Sequence, residues 1–250
     1  MSDIKQYIDE ALESEYTFLQ ELSKTSIHTL KLYENKSTHR RLVLIESKHR
    51  NDEVFRALRG VRTHGYTPQV YEVASEEKAL YVVEEYVEGE PLADYLMQDK
   101  LLPKERVIDV LIDLCNALTI LHGLQIVHRD IKPENIVLTA QKACLIDFSA
   151  AKMISGKSSD TVNLGTAGFA APEQYGVSQS LPTADIYALG VLANILLLGV
   201  HPTSDMPGGY LGKIIQKCTQ TQTSKRYQSA EQINTTRQTG GLLRGYKPRY

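Results

Sequence analysis

Two hydrophobic rhythms divide this chain. Before residue 85 the apolar residues come in short runs, Arg41-Leu42-Val43-Leu44-Ile45, Gln69-Val70-Tyr71-Glu72-Val73 and Leu80-Tyr81-Val82-Val83, rich in β-branched and aromatic side chains. Polar or turn-like residues bound each run, so the pattern predicts strands of an antiparallel sheet. Between them, Asp52 to Arg59 places Val54, Phe55 and Leu58 on one face, as a short helix does. After Pro91 the period lengthens. Pro103 opens a segment in which Val107, Val110, Leu111, Leu114, Leu118 and Leu121 recur at three- and four-residue steps until Gly123, which predicts a long helix. The longest apolar stretch, Ile186 to Val200, is interrupted by Gly190 and Asn194. It falls short of the roughly 18 residues of a membrane span and predicts a buried core helix. Beyond Gln232, Thr235-Thr236-Arg237 and Gly240-Gly241 break helical periodicity, so no closing helix is expected there.

Composition narrows the classes. A chain of 250 residues, 42% of them hydrophobic, buries enough apolar surface for one domain or two lobes. Its formal net charge of -2 leaves no electrostatic footprint for nucleic acid or an anionic membrane, so neither is expected as a partner. Cys115, Cys144 and Cys218 show no metal-ligand spacing and read as reduced, buried thiols of a cytoplasmic protein. Met1 to Glu21 is polar and acid-rich, without a basic region followed by an apolar run, so no targeting segment is expected.

The chemistry concentrates in His128-Arg129-Asp130-Ile131-Lys132-Pro133-Glu134-Asn135. In one short loop Asp130 can accept the proton of an attacking hydroxyl, Lys132 can neutralise charge on a moving phosphoryl group, and Asn135 can hold a metal. Asp147 follows with a hard anionic oxygen. Mg²⁺ prefers oxygen ligands and keeps several waters, so Asn135 and Asp147 form a plausible incomplete shell that nucleotide phosphates complete.

These motifs, with Asp147-Phe148-Ser149 and Ala171-Pro172-Glu173, resemble the catalytic loop, metal-binding motif and activation-segment end of eukaryotic-type serine/threonine protein kinases. Gly168 to Gly176 looks like the bacterial or phage branch. The resemblance implies an α+β, bilobal fold: a β-rich N-terminal lobe at 1–84, a hinge at 85–90 and a helical C-terminal lobe at 91–250, forming one kinase domain. It also implies ATP and Mg²⁺, with Mn²⁺ as a substitute, a protein substrate with a Ser or Thr acceptor, and a homodimer for autophosphorylation in trans. Lys132, two residues after the aspartate, is the serine/threonine-type arrangement. Aligning Leu80 to Gly89 on the hinge offers the backbone of Glu85 and Val87 to adenine, with Leu22, Leu30, Val43 and Val137 around the ring. Glu84 then stands where the family usually has an apolar residue. A hinge displaced by one residue is the competing alignment.

The first strands depart from the family. Ser23, Thr25 and His28 stand where three glycines should, and Ile45 where the phosphate-binding lysine should. Without glycine the turn should hold phosphates less closely. Lys48 can take over the missing role, Lys24 or Lys31 can reach from the first two strands, or no lysine does. Glu53 is the candidate for the helix glutamate that normally pairs with that lysine. In the second half, Asp185 resembles the aspartate that holds the catalytic-loop backbone, and Glu173 with Arg226 resembles a structural ion pair. Arg129 suggests an activation segment ordered by phosphorylation, with Ser155, Ser158, Ser159 and Thr161 as candidates. Thr166 resembles the threonine that bonds the catalytic aspartate and lysine. Between Gly199 and Lys213 the lobe is trimmed where larger kinases carry a helix. Three functions compete: an active serine/threonine kinase, a pseudokinase scaffold, and a small-molecule phosphotransferase, which has no reason to keep Ala171-Pro172-Glu173, Asp185 and Arg226 together.

Overall fold

The computed structural model describes residues 3–49, 51–98, 100–154, 166–175 and 181–240. Its contacts separate the chain into two compact units, Met1–Glu88 and Gly89–Tyr250.

The first unit contains helix α1 (Asp3–Glu15), strands β1 (Tyr16–Lys24), β2 (His28–Asn35) and β3 (Arg41–Ser47), helix α2 (Asp52–Leu58), and strands β4 (Val70–Ser75) and β5 (Leu80–Glu85). The strands form one antiparallel sheet in the order β1-β2-β3-β5-β4. Paired residues share a face of a pleated sheet, and alternate residues lie on opposite faces. Leu30 pairs with Ile45, Leu32 with Val43, and these two β3 residues pair with Val82 and Glu84 on β5, which defines one face. Tyr33, Leu42, Leu44 and Tyr81 form the other, where Leu12 and Ile8 of α1 pack against them.

Helix α1 occupies most of the polar, acid-rich stretch at the start of the chain. Its acidic composition hides a narrow apolar stripe whose partner is distant in sequence. Lys5 adds a polar clasp, 3.1 Å from Glu46 of β3.

The second unit begins at the division after Glu88. A side chain at Gly89 would collide with the Leu138 carbonyl, so the close approach there suits glycine. Then come β6 (Glu90–Pro91), α3 (Leu92–Leu96), α4 (Lys104–Gly123), β7 (Ile126–Val127), β8 (Ile136–Leu138), β9 (Ala143–Leu145) and β10 (Lys152–Met153), followed by helices α5 (Pro182–Leu198), α6 (Gly209–Cys218) and α7 (Ala230–Gly240). Helix α4 starts after Pro103 and buries Val107, Val110, Leu114, Leu118 and Leu121. Helix α5 is apolar all round and buried along its length. It stops at Gly199, whose φ of 71° suits the left-handed cap that donates to the Ile195 carbonyl. No helix lies between Gly199 and Gly208. Instead the buried Asn194 amide donates to the Val200 and Asp205 carbonyls and pins the shortened connection to α5.

Helix α7 overturns the expectation that periodicity ends at Gln232. Ala230 and Ile233 are buried, and Asn234 bonds Asn116 of α4. Docking of its first turn offsets the weak helix propensity of the threonines that follow. The three cysteines are all buried. Among the described residues, no helix is long and apolar enough to cross a membrane.

Candidate active site

In the second unit, the segment after β7 is extended and polar, and one carboxylate fixes its backbone. Asp185, in the first turn of α5 and fully buried, accepts from the His128 N–H at 2.9 Å and the Arg129 N–H at 2.8 Å. His122 Nε2 lies 2.8 Å from the same carboxylate. Burial pushes the Asp185 carboxyl upward, but the imidazoles of His122 and His128 and the Arg129 amide hold it below the ordinary carboxylate range. These contacts support a costly conformation, since Arg129 has a φ of 69° and Asp147 a φ of 64°. Non-glycine residues in this region are held there only by their surroundings. Arg129 is 6% exposed and donates through Nε to the Ala150 carbonyl at 2.7 Å, and Gln174 Nε2 donates to the Arg129 carbonyl.

On this frame the reactive groups converge. Thr166 Oγ1 donates to Asp130 Oδ1 at 2.8 Å and accepts from Lys132 Nζ at 2.9 Å. Lys132 Nζ is also 2.8 Å from Asp130 Oδ2. An alcohol oxygen therefore sits between a carboxylate and an ammonium. Burial alone would raise the Asp130 carboxyl, yet Lys132, Thr166 and Asn135 together lower it, so it is ionised at neutral pH.

Asn135 Nδ2 donates to the Asp130 carbonyl at 2.8 Å and to Asp130 Oδ2 at 3.0 Å. With its amine so engaged, its amide oxygen is turned away from these partners. The Ile146 N–H donates to the Asn135 carbonyl at 2.9 Å, extending the β8–β9 pairing, so Asp147 begins at the same end of the hairpin as Asn135. Asp147 is exposed, and its Oδ1 accepts from the Ser149 N–H at 2.9 Å, which leaves its second oxygen available. That donor is a backbone N–H, so serine in place of glycine leaves this hydrogen bond to Asp147 intact. An amide oxygen and a carboxylate oxygen are ligand types that suit a magnesium ion whose remaining ligands are phosphates and water.

Glu173 and Arg226 form the expected pair, at 2.6 and 2.8 Å. The remaining Arg226 donors reach the carbonyls of Thr183, Gln220 and Thr221, and its guanidinium lies 4.9 Å from the Tyr187 ring centroid. Val137 is buried on β8, where it pairs with Cys144. Ser155, Ser158, Ser159 and Thr161 lie outside the described residues.

In the first unit, Val43 is buried and Leu30 half-buried on one sheet face, while Leu22 is the extra residue of a bulge in β1 and is 38% exposed. No backbone hydrogen bond among the described residues uses the Val87 N–H or carbonyl. The β1–β2 turn spends its own donors: the Ile27 and His28 N–H groups go to Thr25 Oγ1 at 3.2 and 3.0 Å. The lysine candidates separate clearly. Lys31 faces away from Val43 and Ile45 and pairs with Glu46 at 2.7 Å. Lys24 is exposed beside Glu21. Lys48 Nζ donates to the Ser26 carbonyl at 2.9 Å, at the tip of the β1–β2 turn. Glu53 is exposed in the first turn of α2.

Sequence reasoning passed over His122 and Gln174, which shape the catalytic loop without touching the reacting atoms. Their signal is faint: His122 ends a helix six residues before the loop, and Gln174 directly follows Ala171-Pro172-Glu173.

The family model described as protein kinase domain matches residues 46–239, well over half of the chain, and begins within β3, one residue after Ile45. Serine/threonine-protein kinase PknA of Nostoc sp. is 34% identical over 160 residues, covering 60% of this chain and 28% of that protein. Serine/threonine-protein kinase D of Synechocystis sp. is 34% identical over 189 residues, 66% of this chain and 36% of that one. Serine/threonine-protein kinase PknB of Mycobacterium leprae is 36% identical over 126 residues, 49% and 20% respectively. The chain spans about a third or less of the length of these relatives. Its α+β architecture, its catalytic-loop geometry and this match agree: the chain belongs to the protein kinase domain family.

Proposed function

We propose that this chain is a serine/threonine protein kinase that transfers the γ-phosphoryl group of Mg-ATP to a protein hydroxyl. The observation that carries the reading is the Thr166 hydroxyl held 2.8 Å from Asp130 and 2.9 Å from Lys132, the environment an acceptor alcohol needs. Asp130 accepts the hydroxyl proton as the oxygen attacks phosphorus, and Lys132 offsets charge on the transferring oxygens. Asn135 and Asp147 hold the metal, and bound magnesium supplies neutralisation of the phosphate charge. Asn135 also steadies Asp130 through its two hydrogen bonds. Leu22, Leu30, Val43 and Val137 contact the adenine, the backbone of Glu85 and Val87 bonds its edge, and Lys48 is the cation nearest the role that Ile45 vacates. The substrate is a protein with a Ser or Thr acceptor, in the cytoplasm, and a homodimer serves autophosphorylation in trans. Incubation with Mg-ATP and a generic basic protein tests this: phosphate incorporation is expected for the wild type and absent for Asp130→Asn. Equal incorporation by both would sink the reading.

A pseudokinase scaffold is the second reading, favoured by one observation. The turn that should cradle phosphates has its Ile27 and His28 amides bonded to Thr25, and no lysine stands at position 45. Stabilisation by ATP with no incorporation by the wild type would select it.

A further inference from the structure

At Arg129 the catalytic loop adopts a conformation that its residue type disfavours. A φ of 69° is costly for a residue with a side chain, and φ and ψ there set the angle between the two peptide planes that meet at its Cα. Both planes are held. The N–H of the first donates to Asp185 Oδ1 at 2.8 Å, and the carbonyl of the second accepts from Gln174 Nε2 at 3.1 Å. That second plane ends at the Asp130 nitrogen, so its orientation sets the direction in which the Asp130 side chain leaves the backbone. On the far side of Asp130, Asn135 Nδ2 donates to the next carbonyl at 2.8 Å.

Gln174 is itself fixed. It is buried, at 6% exposure, in the short turn Pro172–Tyr175, and its Oε1 accepts from the Ala171 N–H at 2.9 Å. With its oxygen facing that donor, the amide presents its nitrogen to the Arg129 carbonyl, so only one orientation satisfies both partners. The residue before it, Glu173, is tied to Arg226 at 2.6 and 2.8 Å. A carboxamide both donates and accepts, whereas an ionised carboxylate of the same shape only accepts.

We propose that Gln174 is a positioning residue for phosphoryl transfer: its carboxamide locks the Arg129–Asp130 peptide and thereby sets the angle at which Asp130 meets the acceptor hydroxyl. The inference rests on the kinase reading above. Gln174 touches no reacting atom, so its loss slows the chemical step, where a small misplacement of the base is felt, and leaves substrate binding in place.

The test compares wild type, Gln174→Met and Gln174→Glu as full chains. Single-turnover incorporation from Mg-ATP into a generic basic protein gives the transfer rate, steady-state assays give KM for both substrates, and a thermal melt accompanies each protein. Gln174→Met keeps the reach and loses the donor. It is expected to slow transfer roughly tenfold, the scale of one buried hydrogen bond, with both KM values within about twofold of wild type. Gln174→Glu is expected to slow transfer further near neutral pH, where a carboxylate oxygen faces the Arg129 carbonyl oxygen. As pH falls it should recover relative to wild type at the same pH, because the neutral acid donates its O–H where the amide donated its N–H. Gln174→Met should show no such recovery. Transfer rates equal to wild type in both variants, whatever their melting temperatures, overturn the inference and leave the kinase reading standing, as does a rise in KM at an unchanged transfer rate. If Gln174→Met fails to fold, the pH profile of Gln174→Glu decides, and a profile parallel to wild type overturns the inference. A wild type that incorporates nothing overturns both.

Discussion

Asp130 carries two demands that pull its acidity in opposite directions. Desolvation favours the neutral acid, while Lys132, Thr166 and Asn135 favour the anion, and the anion prevails. Because the folded pKa is depressed, the base form persists below the usual carboxylate range. The stabilisation that comes with it is present above the unfolded value and lost as pH falls through the folded one. The acid limb of kcat/KM for incorporation should therefore lie below the ordinary carboxylate range, as a pH–rate profile would read it. Asp130→Asn should lower kcat by roughly 10²- to 10⁴-fold with little change in ATP affinity, measured by single-turnover phosphorylation beside ATP titration. Much of this was legible in the chain: the order Asp130, Lys132, Asn135, Asp147 specifies the chemistry by residue type and spacing alone. His122 and Gln174 were not, because imidazole and carboxamide bonded to backbone resemble any other polar residue until the fold brings Asp185 and the Arg129 carbonyl to them.

Among the elements, the link between the short helical turn Pro172–Tyr175 and the segment before α7 depends on one side chain. Arg226 uses all its donor directions, on Glu173 and on three carbonyls, with its side chain fully buried. Removing one partner of a buried pair leaves the other uncompensated, at a cost of about 3–5 kcal/mol. Arg226→Ala should lower denaturant stability by that amount, and Arg226→Lys should recover only part, since a point charge cannot reproduce the fork. Helix α1 shows the opposite regime. Leu12 is its one buried large residue among those described, and Lys5 shares Glu46 with Lys31. Burial works against the Glu46 anion, but the two ammonium groups lower its pKa, so the clasp holds above the unfolded value and loosens as pH falls through the folded one. Leu12→Ala should raise hydrogen exchange throughout residues 4–15 by about tenfold or more, the effect of roughly 2 kcal/mol, without comparable change in the second unit. The strands were legible from alternation because each carries its own pattern. The helices at the two ends were not, since each depends on one or two contacts with residues far along the chain.

Across the whole molecule, agreement with the kinase pattern is uneven in a way that has a physical reading. The family match starts at residue 46, and the residues before it are those whose phosphate chemistry departs from the pattern. Ile45 pairs with Leu30 and Val82, so the position of the missing ammonium is filled by an aliphatic side chain on the same face as Val43. Lys31 is directed to the other face, which leaves Lys48 as the lysine anchored at the β1–β2 turn, through the Ser26 carbonyl. If phosphate contacts have moved there, two variants separate them from base contacts. Lys48→Ala should weaken ATP binding roughly tenfold, the scale of one charge-assisted hydrogen bond, and leave adenosine binding unchanged because adenosine has no phosphates. Adding Ile45→Lys to that variant returns an ammonium to the Val43 face and should recover ATP affinity, again without effect on adenosine. Equal losses for ATP and adenosine in Lys48→Ala would show that Lys48 only holds the turn.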